Sequence, residues 1–313
     1  MTAESPGRGA LRPRVLLLLL IVTWAVSWPV IKVGVAAGAP IWFGFWRYLI
    51  AALALFTFVA LRRQLVFPPR ADWPLIAVSG ALQMAAYSAL TGLALTILPP
   101  GRASVLAFST PLWVVPLAAL WLGEPITRRA GFGVGLGLLG VFAIAAPSFH
   151  PEGRSQVVAY AMLMGAAAAW AISVVFVRRH RFTATALALA PWQMLIAAGL
   201  LLPLASLCEG PPRLGVRSAA ALAYVGPVAT AFAYWAVVEA GRHIRASTMS
   251  MALLSTPSLG ITISALVLGE KVGSSLIAGV VLIGVGIRLA NSAPSARSDA
   301  LRTPETGDGP ART

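Results

Sequence analysis

Two stretches, STPLWVVPLAALWLGE at residues 109–124 and STPSLGITISALVLGE at residues 255–270, determine how this chain is built. Both begin with Ser-Thr-Pro and end with Leu-Gly-Glu, and they lie 146 residues apart. Within each stretch, the residues between Ser-Thr-Pro and Leu-Gly-Glu are mostly apolar, which is typical of a membrane-spanning helix. Such a long pattern, repeated with the same internal spacing, predicts two homologous halves.

The same spacing relates other parts of the sequence. Trp24-Ala25-Val26-Ser27 is matched 146 residues later by Trp170-Ala171-Ile172-Ser173, and Lys32 is matched by Arg178. Several coincidences at one spacing are not expected by chance, even in a chain rich in Ala and Leu. The predicted organisation is an N-terminal tail (1–14), a first half (15–146), a second half (157–290) and a polar C-terminal tail (291–313).

The composition is that of a membrane protein. Hydrophobic residues make up 58% of the 313 residues and charged residues only 11%, whereas a soluble domain carries about 25% charged residues. A helix needs about 20 mostly apolar residues to cross a bilayer. Ten runs meet this requirement: 15–33, 41–61, 73–95, 102–122, 130–146, 157–177, 184–207, 219–238, 246–268 and 274–290.

The first run has one alternative interpretation, a cleaved signal peptide preceded by a basic segment. Its apolar stretch is long for the hydrophobic region of a signal peptide. Its Trp24–Ser27 motif also recurs in the sixth run. Both observations favour a retained span.

The net charge of +14 is unevenly distributed along the chain. With ten spans and a cytoplasmic N-terminus, the cytoplasmic segments carry sixteen Lys and Arg residues and the opposite segments carry five. This asymmetry follows the positive-inside rule and predicts that both termini are cytoplasmic. The basic residues therefore orient the protein in a bacterial inner membrane, and no nucleic-acid partner is required to explain them.

Five spans in each half predict an inverted repeat, since an odd number makes the second half enter the membrane from the opposite side. Inverted repeats are the architecture on which many transporters expose a central site alternately to the two faces. The predicted fold is therefore an all-α membrane protein of ten helices, arranged as two inverted five-helix repeats around a central cavity.

Two prolines are candidate site residues. Pro111 and Pro257 occupy equivalent places near the middle of spans four and nine, where a proline removes a backbone hydrogen bond and bends or breaks the helix. Lipid cannot satisfy the freed carbonyl groups, whereas neighbouring hydroxyls such as those of Ser255 and Thr256 can. A structural kink and a break that lines the substrate cavity remain alternative interpretations.

Aromatic residues deep in the spans are the other candidates. Trp24 and Trp170 are equivalent by the repeat, Gln83 lies one turn before Tyr87 on the same helical face, and Trp113 follows Pro111. Packing or an interfacial aromatic belt is the alternative. The predicted substrate-binding residues are Trp24, Ser27, Gln83, Tyr87, Pro111, Trp113, Trp170, Ser173, Tyr234, Ser255, Thr256 and Pro257.

Two of the cations within the predicted spans are candidate site residues, Lys32 in span one and Arg47 in span two. A charge in hydrocarbon is costly, so each either reaches outward to the interface or faces the cavity. In the cavity, either cation would pair with a substrate carboxylate or act as a gate. No Asp or His lies within the predicted spans, which favours facilitated diffusion over proton coupling. Glu239, at the end of span eight near the cytoplasmic mouth, leaves proton coupling as an alternative.

The repeated elements resemble the EamA-type members of the drug/metabolite transporter superfamily. The likeness rests on Trp24-x-x-Ser27…Lys32, Arg47, both Ser-Thr-Pro…Leu-Gly-Glu blocks and the glycine-rich spans five and ten. It covers residues 15–290 and implies export or facilitated movement of small metabolites, among which amino acids are prominent. One departure is that Gln193 stands at the counterpart of Arg47.

An aromatic cavity with few polar groups suits an apolar, orientable ligand. The predicted function is therefore export of neutral or aromatic amino acids by alternating access, without a metal or other cofactor. Export of cationic or lipophilic drugs by the same fold is one alternative, and it calls for a carboxylate that the spans lack. A membrane-embedded enzyme or a scaffold subunit is the other, and the spans contain no converging catalytic groups.

Overall fold

Every regular element in the described residues is helical. The computed structural model describes residues 6–36, 39–149, 153–180, 182–212, 214–244 and 246–291. Within them, nine segments are long and apolar enough to cross a membrane, and a shorter apolar helix completes the predicted ten. We number them spans one to ten: Pro13–Val35, Pro40–Leu61, Arg70–Ile97, Pro100–Leu122, Arg128–Ser148, Arg154–His180, Ala186–Glu209, Val216–Gly241, the helices Ala246–Leu253 and Ser255–Leu268 together, and Ser274–Asn291.

Equivalent spans of the two halves run in opposite directions. Glu209, the last residue of span seven, accepts hydrogen bonds of 2.9 Å from the backbone N–H groups of Ile41 and Trp42, in the first turn of span two. The C-terminal end of one span therefore meets the N-terminal end of its repeat counterpart. This antiparallel pairing confirms the predicted inverted repeat.

Spans five and ten form the closest pair of helices. A Cβ atom on Gly133 would lie 2.6 Å from the carbonyl oxygen of Gly286, and one on Gly140 would lie 2.8 Å from that of Gly279. Residue numbers rise along one helix as they fall along the other, so this pair is also antiparallel. Only glycine permits the backbones to approach this closely, as is common between membrane helices.

Spans four and nine are interrupted at the repeated Ser-Thr-Pro motif. In span four the helix Pro100–Ala107 ends and a second helix, Thr110–Leu122, begins with Pro111 in its first turn. In span nine the break falls at Leu254, and the following helix Ser255–Leu268 carries Pro257 near its start. Proline is tolerated in the first turn because its missing N–H would have no helical partner there.

The repeated Leu-Gly-Glu motif ends both interrupted spans in the same way. Gly123 and Gly269 adopt left-handed backbone conformations with φ of 68° and 67°, which glycine adopts without strain. The N–H groups of Glu124 and Glu270 then reach back to carbonyls of the last helical turn. This is the geometry of a glycine C-cap, and it places one glutamate at the end of each span.

Spans three and eight each contain a wide helical turn at the same place in the repeat. Residues Ser79–Ala86 and Val225–Phe232 form π-helical segments, again 146 residues apart. Each begins beside a glycine that lies against the other half. A Cβ atom on Gly80 would lie 2.7 Å from the carbonyl oxygen of Gln193, and one on Gly226 would lie 2.7 Å from the Ile50 side chain. Single π-helical turns occur often at functional sites.

Candidate functional site

A cavity of about 540 Å³ lies between the two halves, within the size range of small-molecule sites. Its walls come from both repeats and are mainly aromatic and aliphatic. The residues that carry its chemistry are Trp24, Ser27, Trp28, Arg47, Tyr48, Gln83, Tyr87, Thr91, Phe108, Thr110, Pro111, Trp170, Met194, Thr230, Tyr234 and Asn291.

The cavity extends toward one side of the helix bundle. We call the side at which span one begins and span ten ends the terminal face. Val237, Leu253 and Asn291 line the cavity near this face, and Asn291 is exposed. Toward the opposite face the lining reaches Leu95, which is only 1% exposed. Among the described residues, the cavity is therefore accessible from the terminal face and closed toward the opposite face.

Arg47 is the only charged side chain among the described residues that line this cavity. Its Nε donates a 2.8 Å hydrogen bond to the hydroxyl of Thr230, and its guanidinium carbon lies 5.2 Å from the centre of the Tyr48 ring. Within the described chain its two Nη nitrogens form no hydrogen bond, and no acidic residue lines the cavity. A half-buried guanidinium in this arrangement is a site for a carboxylate.

Aromatic rings form the apolar wall. Tyr87 and Trp170 contact each other edge to face, with ring centres 4.7 Å apart. Trp24 and Trp28 both pack against Phe108, with ring centres 6.4 Å apart. Phe108 lies at the break in span four, so the interruption brings an aromatic ring to the cavity. These rings offer faces and edges on which a flat apolar group can pack.

The structure brings some of the predicted site residues together in the cavity lining and places others outside it. Eight of them line the cavity: Trp24, Ser27, Arg47, Gln83, Tyr87, Pro111, Trp170 and Tyr234. Within the described chain, six others do not line it: Lys32, Trp113, Ser173, Ser255, Thr256 and Pro257. Ser27 lines the cavity but donates its hydroxyl hydrogen to the Trp24 carbonyl at 2.7 Å.

The residues outside the lining have different surroundings. Ser173 is fully buried and bonds Gln83 Oε1 at 3.3 Å, so it orients an amide that does line the cavity. Ser255 donates to the Ala252 carbonyl at 2.6 Å and so satisfies an acceptor at the break in span nine. The Trp113 indole N–H and the Thr256 hydroxyl are buried without a partner in the described chain.

Two residues outside the predicted site set contact Arg47 and Tyr234. Thr230 accepts the Arg47 hydrogen bond, and Gln193, the repeat counterpart of Arg47, lies 3.4 Å from the Tyr234 hydroxyl. The repeat had already drawn attention to position 193. No local pattern distinguishes Thr230 from other threonines in the spans, since its role depends on the π-helical segment.

A carboxylate links the end of span nine to the start of span four at the opposite face. Glu270 accepts hydrogen bonds from the backbone N–H groups of Gly101 at 2.8 Å and Arg102 at 3.2 Å, in the first turn of span four. Lys32 lies nearby and donates to the Leu95 carbonyl at 2.5 Å. Burial raises the pKa of the Glu270 carboxyl above its usual range, although these hydrogen bonds and the charges of Arg102 and Lys32 lower it.

The repeat counterpart of Glu270, Glu124, has a different partner among the described residues. Glu124, at the terminal face, forms an ion pair with Arg178 at 2.5 Å, and about half of each side chain is exposed. The two equivalent glutamates thus have different environments, as expected when a cavity is closed at one face and accessible from the other.

Comparison with known proteins identifies the family. Residues 12–146 and 157–292 each match the EamA-like transporter family. The chain is 32% identical to a probable terminal-alkyne amino-acid exporter of Streptantibioticus cattleyicolor, over 90% of this chain and 97% of the relative. It is 28% identical to an uncharacterized transporter of Bacillus subtilis, over 92% and 94% of the two chains.

Two further similarities agree with this result. A probable amino-acid metabolite efflux pump of Salmonella typhimurium is 25% identical, over 87% of this chain and 92% of the relative. A solved crystal structure at 22% identity has the same fold, with a TM-score of 0.60 over 89% of this chain and 95% of the other. The resemblance noted in the sequence is confirmed: this multi-pass membrane protein belongs to the EamA-like transporter family.

Proposed function

We propose that this transporter exports neutral and aromatic amino acids from a bacterial cell by alternating access. The observation that carries the proposal is the pairing of one cation, Arg47, with a wall of aromatic rings in the same cavity. Two relatives are described as a probable amino-acid exporter and a probable amino-acid metabolite efflux pump, which agrees with this substrate class.

Each part of an amino acid has a complementary group in the cavity. The carboxylate pairs with the Nη nitrogens of Arg47, and an aromatic side chain packs against Tyr87 and Trp170. The Gln83 amide oxygen accepts a hydrogen bond from the α-ammonium group. Ser173 lies outside the lining and helps to hold the Gln83 amide by a hydrogen bond.

The charge of the cavity argues against a cationic drug as substrate. A cation would meet Arg47 as a like charge and would find no carboxylate among the described lining residues. In a cavity of low polarity such repulsion is only weakly screened. A zwitterion or a monocarboxylate avoids this penalty.

The orientation and the energy source complete the proposal. The sixteen-to-five distribution of Lys and Arg supports cytoplasmic termini in an inner membrane, so that the cavity in this structure faces the cytoplasm. The absence of carboxylate and imidazole groups from the described lining supports facilitated diffusion. Rocking of the two halves would open the opposite face and release the substrate.

Uptake of labelled amino acids into proteoliposomes of the purified protein tests the function. We expect saturable flux of tryptophan, phenylalanine and leucine that exceeds the flux of arginine and is not accelerated by a proton gradient. Absence of flux for every neutral and aromatic amino acid would refute the substrate class. Acceleration by the proton gradient would refute facilitated diffusion but not the substrate class.

A further inference from the structure

We infer that Thr230 is a positioning residue, which orients the guanidinium of Arg47 so that it recognises the substrate carboxylate end-on. This inference rests on the proposed function, because it explains how the cation of that site is held. Thr230 and Arg47 come from different halves of the protein, from spans eight and two, and both line the cavity.

The hydrogen bonds of Thr230 fix the direction of its contact with Arg47. The Thr230 hydroxyl donates its hydrogen to the Val225 carbonyl at 2.8 Å. Its oxygen therefore accepts the hydrogen of Arg47 Nε at 2.8 Å. Thr230 is only 8% exposed, so water does not readily replace either bond. The result is a chain of two short hydrogen bonds from the guanidinium to the backbone.

This chain of bonds depends on the π-helical segment. Threonine hydroxyls in regular helices bond carbonyls three or four residues back, as Thr57, Thr91 and Thr262 do in this protein. Thr230 instead bonds a carbonyl five residues back, within the segment Val225–Phe232. The wider turn thus determines where its hydroxyl lies relative to Arg47.

Close packing of the same segment keeps the two spans in register. A Cβ atom on Gly226 would lie 2.7 Å from the Ile50 side chain and 3.5 Å from the carbonyl oxygen of Arg47. Span eight therefore contacts span two one turn before Thr230. The ring of Tyr48 lies 5.2 Å from the guanidinium carbon and limits its movement further.

The geometry has a consequence for recognition. Arginine can bind a carboxylate side-on through Nε and one Nη, or end-on through both Nη nitrogens. Because Thr230 occupies Nε, only the end-on arrangement is available. Loss of the threonine hydroxyl would free Nε and allow the guanidinium to rotate away from this arrangement, and the affinity for carboxylates would fall selectively.

The test compares Thr230→Val, which keeps the shape but removes the hydroxyl, with Thr230→Ser, which retains it. In proteoliposomes we expect Thr230→Val to raise the KM for phenylalanine about tenfold, with a maximal flux close to wild type. For Thr230→Ser, both the KM for phenylalanine and the maximal flux should stay close to wild type. Thr57→Val, which removes an exposed hydroxyl on span two outside the cavity, is the matched control and should leave transport unchanged.

The ratio of two inhibition constants separates positioning from general damage. Free phenylalanine and phenylalanine amide compete for labelled substrate, and only the first carries a carboxylate. Thr230→Val should weaken inhibition by the acid and leave inhibition by the amide nearly unchanged. The inference would be overturned if Thr230→Val weakens inhibition by phenylalanine and by its amide equally. It would also be overturned if transport by Thr230→Ser is as impaired as transport by Thr230→Val.

Arg47→Gln distinguishes failure of this inference from failure of the proposed function. If Arg47→Gln loses phenylalanine transport and Thr230→Val behaves as wild type, only the role of Thr230 is refuted. If wild type transports no neutral or aromatic amino acid, both proposals are refuted.

Discussion

Individual residues divide the cavity into a charged part and an aromatic part. Arg47 provides the only charge among the described lining residues, and Tyr87 and Trp170 provide an edge-to-face aromatic pair. A cation selects the carboxylate that all amino acids share, whereas aromatic rings discriminate among side chains. The two properties are therefore separable by substitution.

Trp170→Ala should reduce the preference for aromatic substrates. Removal of the indole leaves Tyr87 without its ring partner and takes away the surface on which a substrate ring packs. We expect the KM for tryptophan to rise about tenfold, equivalent to ~1.4 kcal/mol, with a smaller change for alanine. Transport assays with both substrates in proteoliposomes measure this difference.

Trp121→Ala is the matched control for that substitution, because Trp121 is 42% exposed and does not line the cavity. Its transport of both substrates should equal that of wild type. If Trp170→Ala shifts the KM of tryptophan and alanine by the same factor, Trp170 contributes to packing and not to selectivity.

Elements whose physical cause lies in the local sequence could be predicted. The length of the apolar runs predicted the spans. The repeated Ser-Thr-Pro motif predicted the interruptions of spans four and nine, because a proline removes a helical hydrogen bond wherever it lies. The repeated Trp-x-x-Ser motifs also led to Trp24 and Trp170 as cavity residues, because repeat-related positions of an inverted pair meet at the centre.

Elements that depend on neighbouring spans could not be predicted. The π-helical segments place Gly80 against span seven and Gly226 against span two, and nothing in either segment alone indicates a wide turn. Asp72 was expected outside the spans, yet it is fully buried and accepts hydrogen bonds from Thr183 and Ala184 at the start of span seven. Such contacts become visible only once the partner helix is known.

Gly140→Ala should destabilise the pair formed by spans five and ten. The new methyl group would lie 2.8 Å from the Gly279 carbonyl oxygen and from the Ile283 side chain, so the helices must separate. Overpacking of this kind costs about 1–3 kcal/mol. We expect the unfolding midpoint of the detergent-solubilised protein to fall by about 5 °C.

Gly135→Ala provides the comparison within the same helix. No atom lies within 4 Å of the position that its Cβ would take, and alanine has the higher helix propensity. Its unfolding midpoint should equal or slightly exceed that of wild type. If the unfolding midpoint falls equally in Gly140→Ala and Gly135→Ala, close approach to span ten is not the reason that glycine is required at position 140.

The molecule as a whole is asymmetric despite its internal repeat. Glu270 closes the opposite face by binding the first turn of span four, whereas its counterpart Glu124 pairs with Arg178 at the surface of the terminal face. An inverted repeat can reverse such an asymmetry by exchanging the conformations of its halves. Contacts made by Glu270 should therefore control exposure of the cavity.

Glu270→Ala should open the opposite face, because it leaves the N–H groups of Gly101 and Arg102 without their carboxylate acceptor. Cys208 is the only cysteine, so Cys208→Ser provides a background for introduced probes. In that background, a cysteine introduced by Leu95→Cys should react with an impermeant thiol reagent added at the opposite face. The reaction should be faster when Glu270→Ala is also present than when Glu270 is retained. Leu253→Cys, near the terminal face, should react more slowly from its own side. Unchanged rates at both positions would contradict a gating role.

The same contact predicts a pH dependence. Burial raises the pKa of Glu270 in the closed arrangement, so the closed arrangement binds a proton more tightly than an open one in which the carboxyl is solvated. Acidification should therefore stabilise closure of the opposite face, and this stabilisation is lost as the pH rises through the raised pKa. The thiolate fraction of any cysteine falls at acidic pH, so the labelling rate of Leu95→Cys is divided at each pH by that of the exposed Cys208 in the wild-type chain. This ratio should fall at mildly acidic pH. Glu270→Gln should remove this dependence, and a dependence that persists in the glutamine variant would assign it to another group.

The proposed function depends on binding of the substrate carboxylate at Arg47. Equilibrium binding of labelled phenylalanine to the purified protein, with and without Arg47→Gln, measures this dependence. We predict saturable binding to wild type that free neutral amino acids displace and phenylalanine amide displaces poorly, and loss of this binding in the variant. Binding of equal strength in Arg47→Gln, or displacement by acid and amide alike, would contradict this dependence.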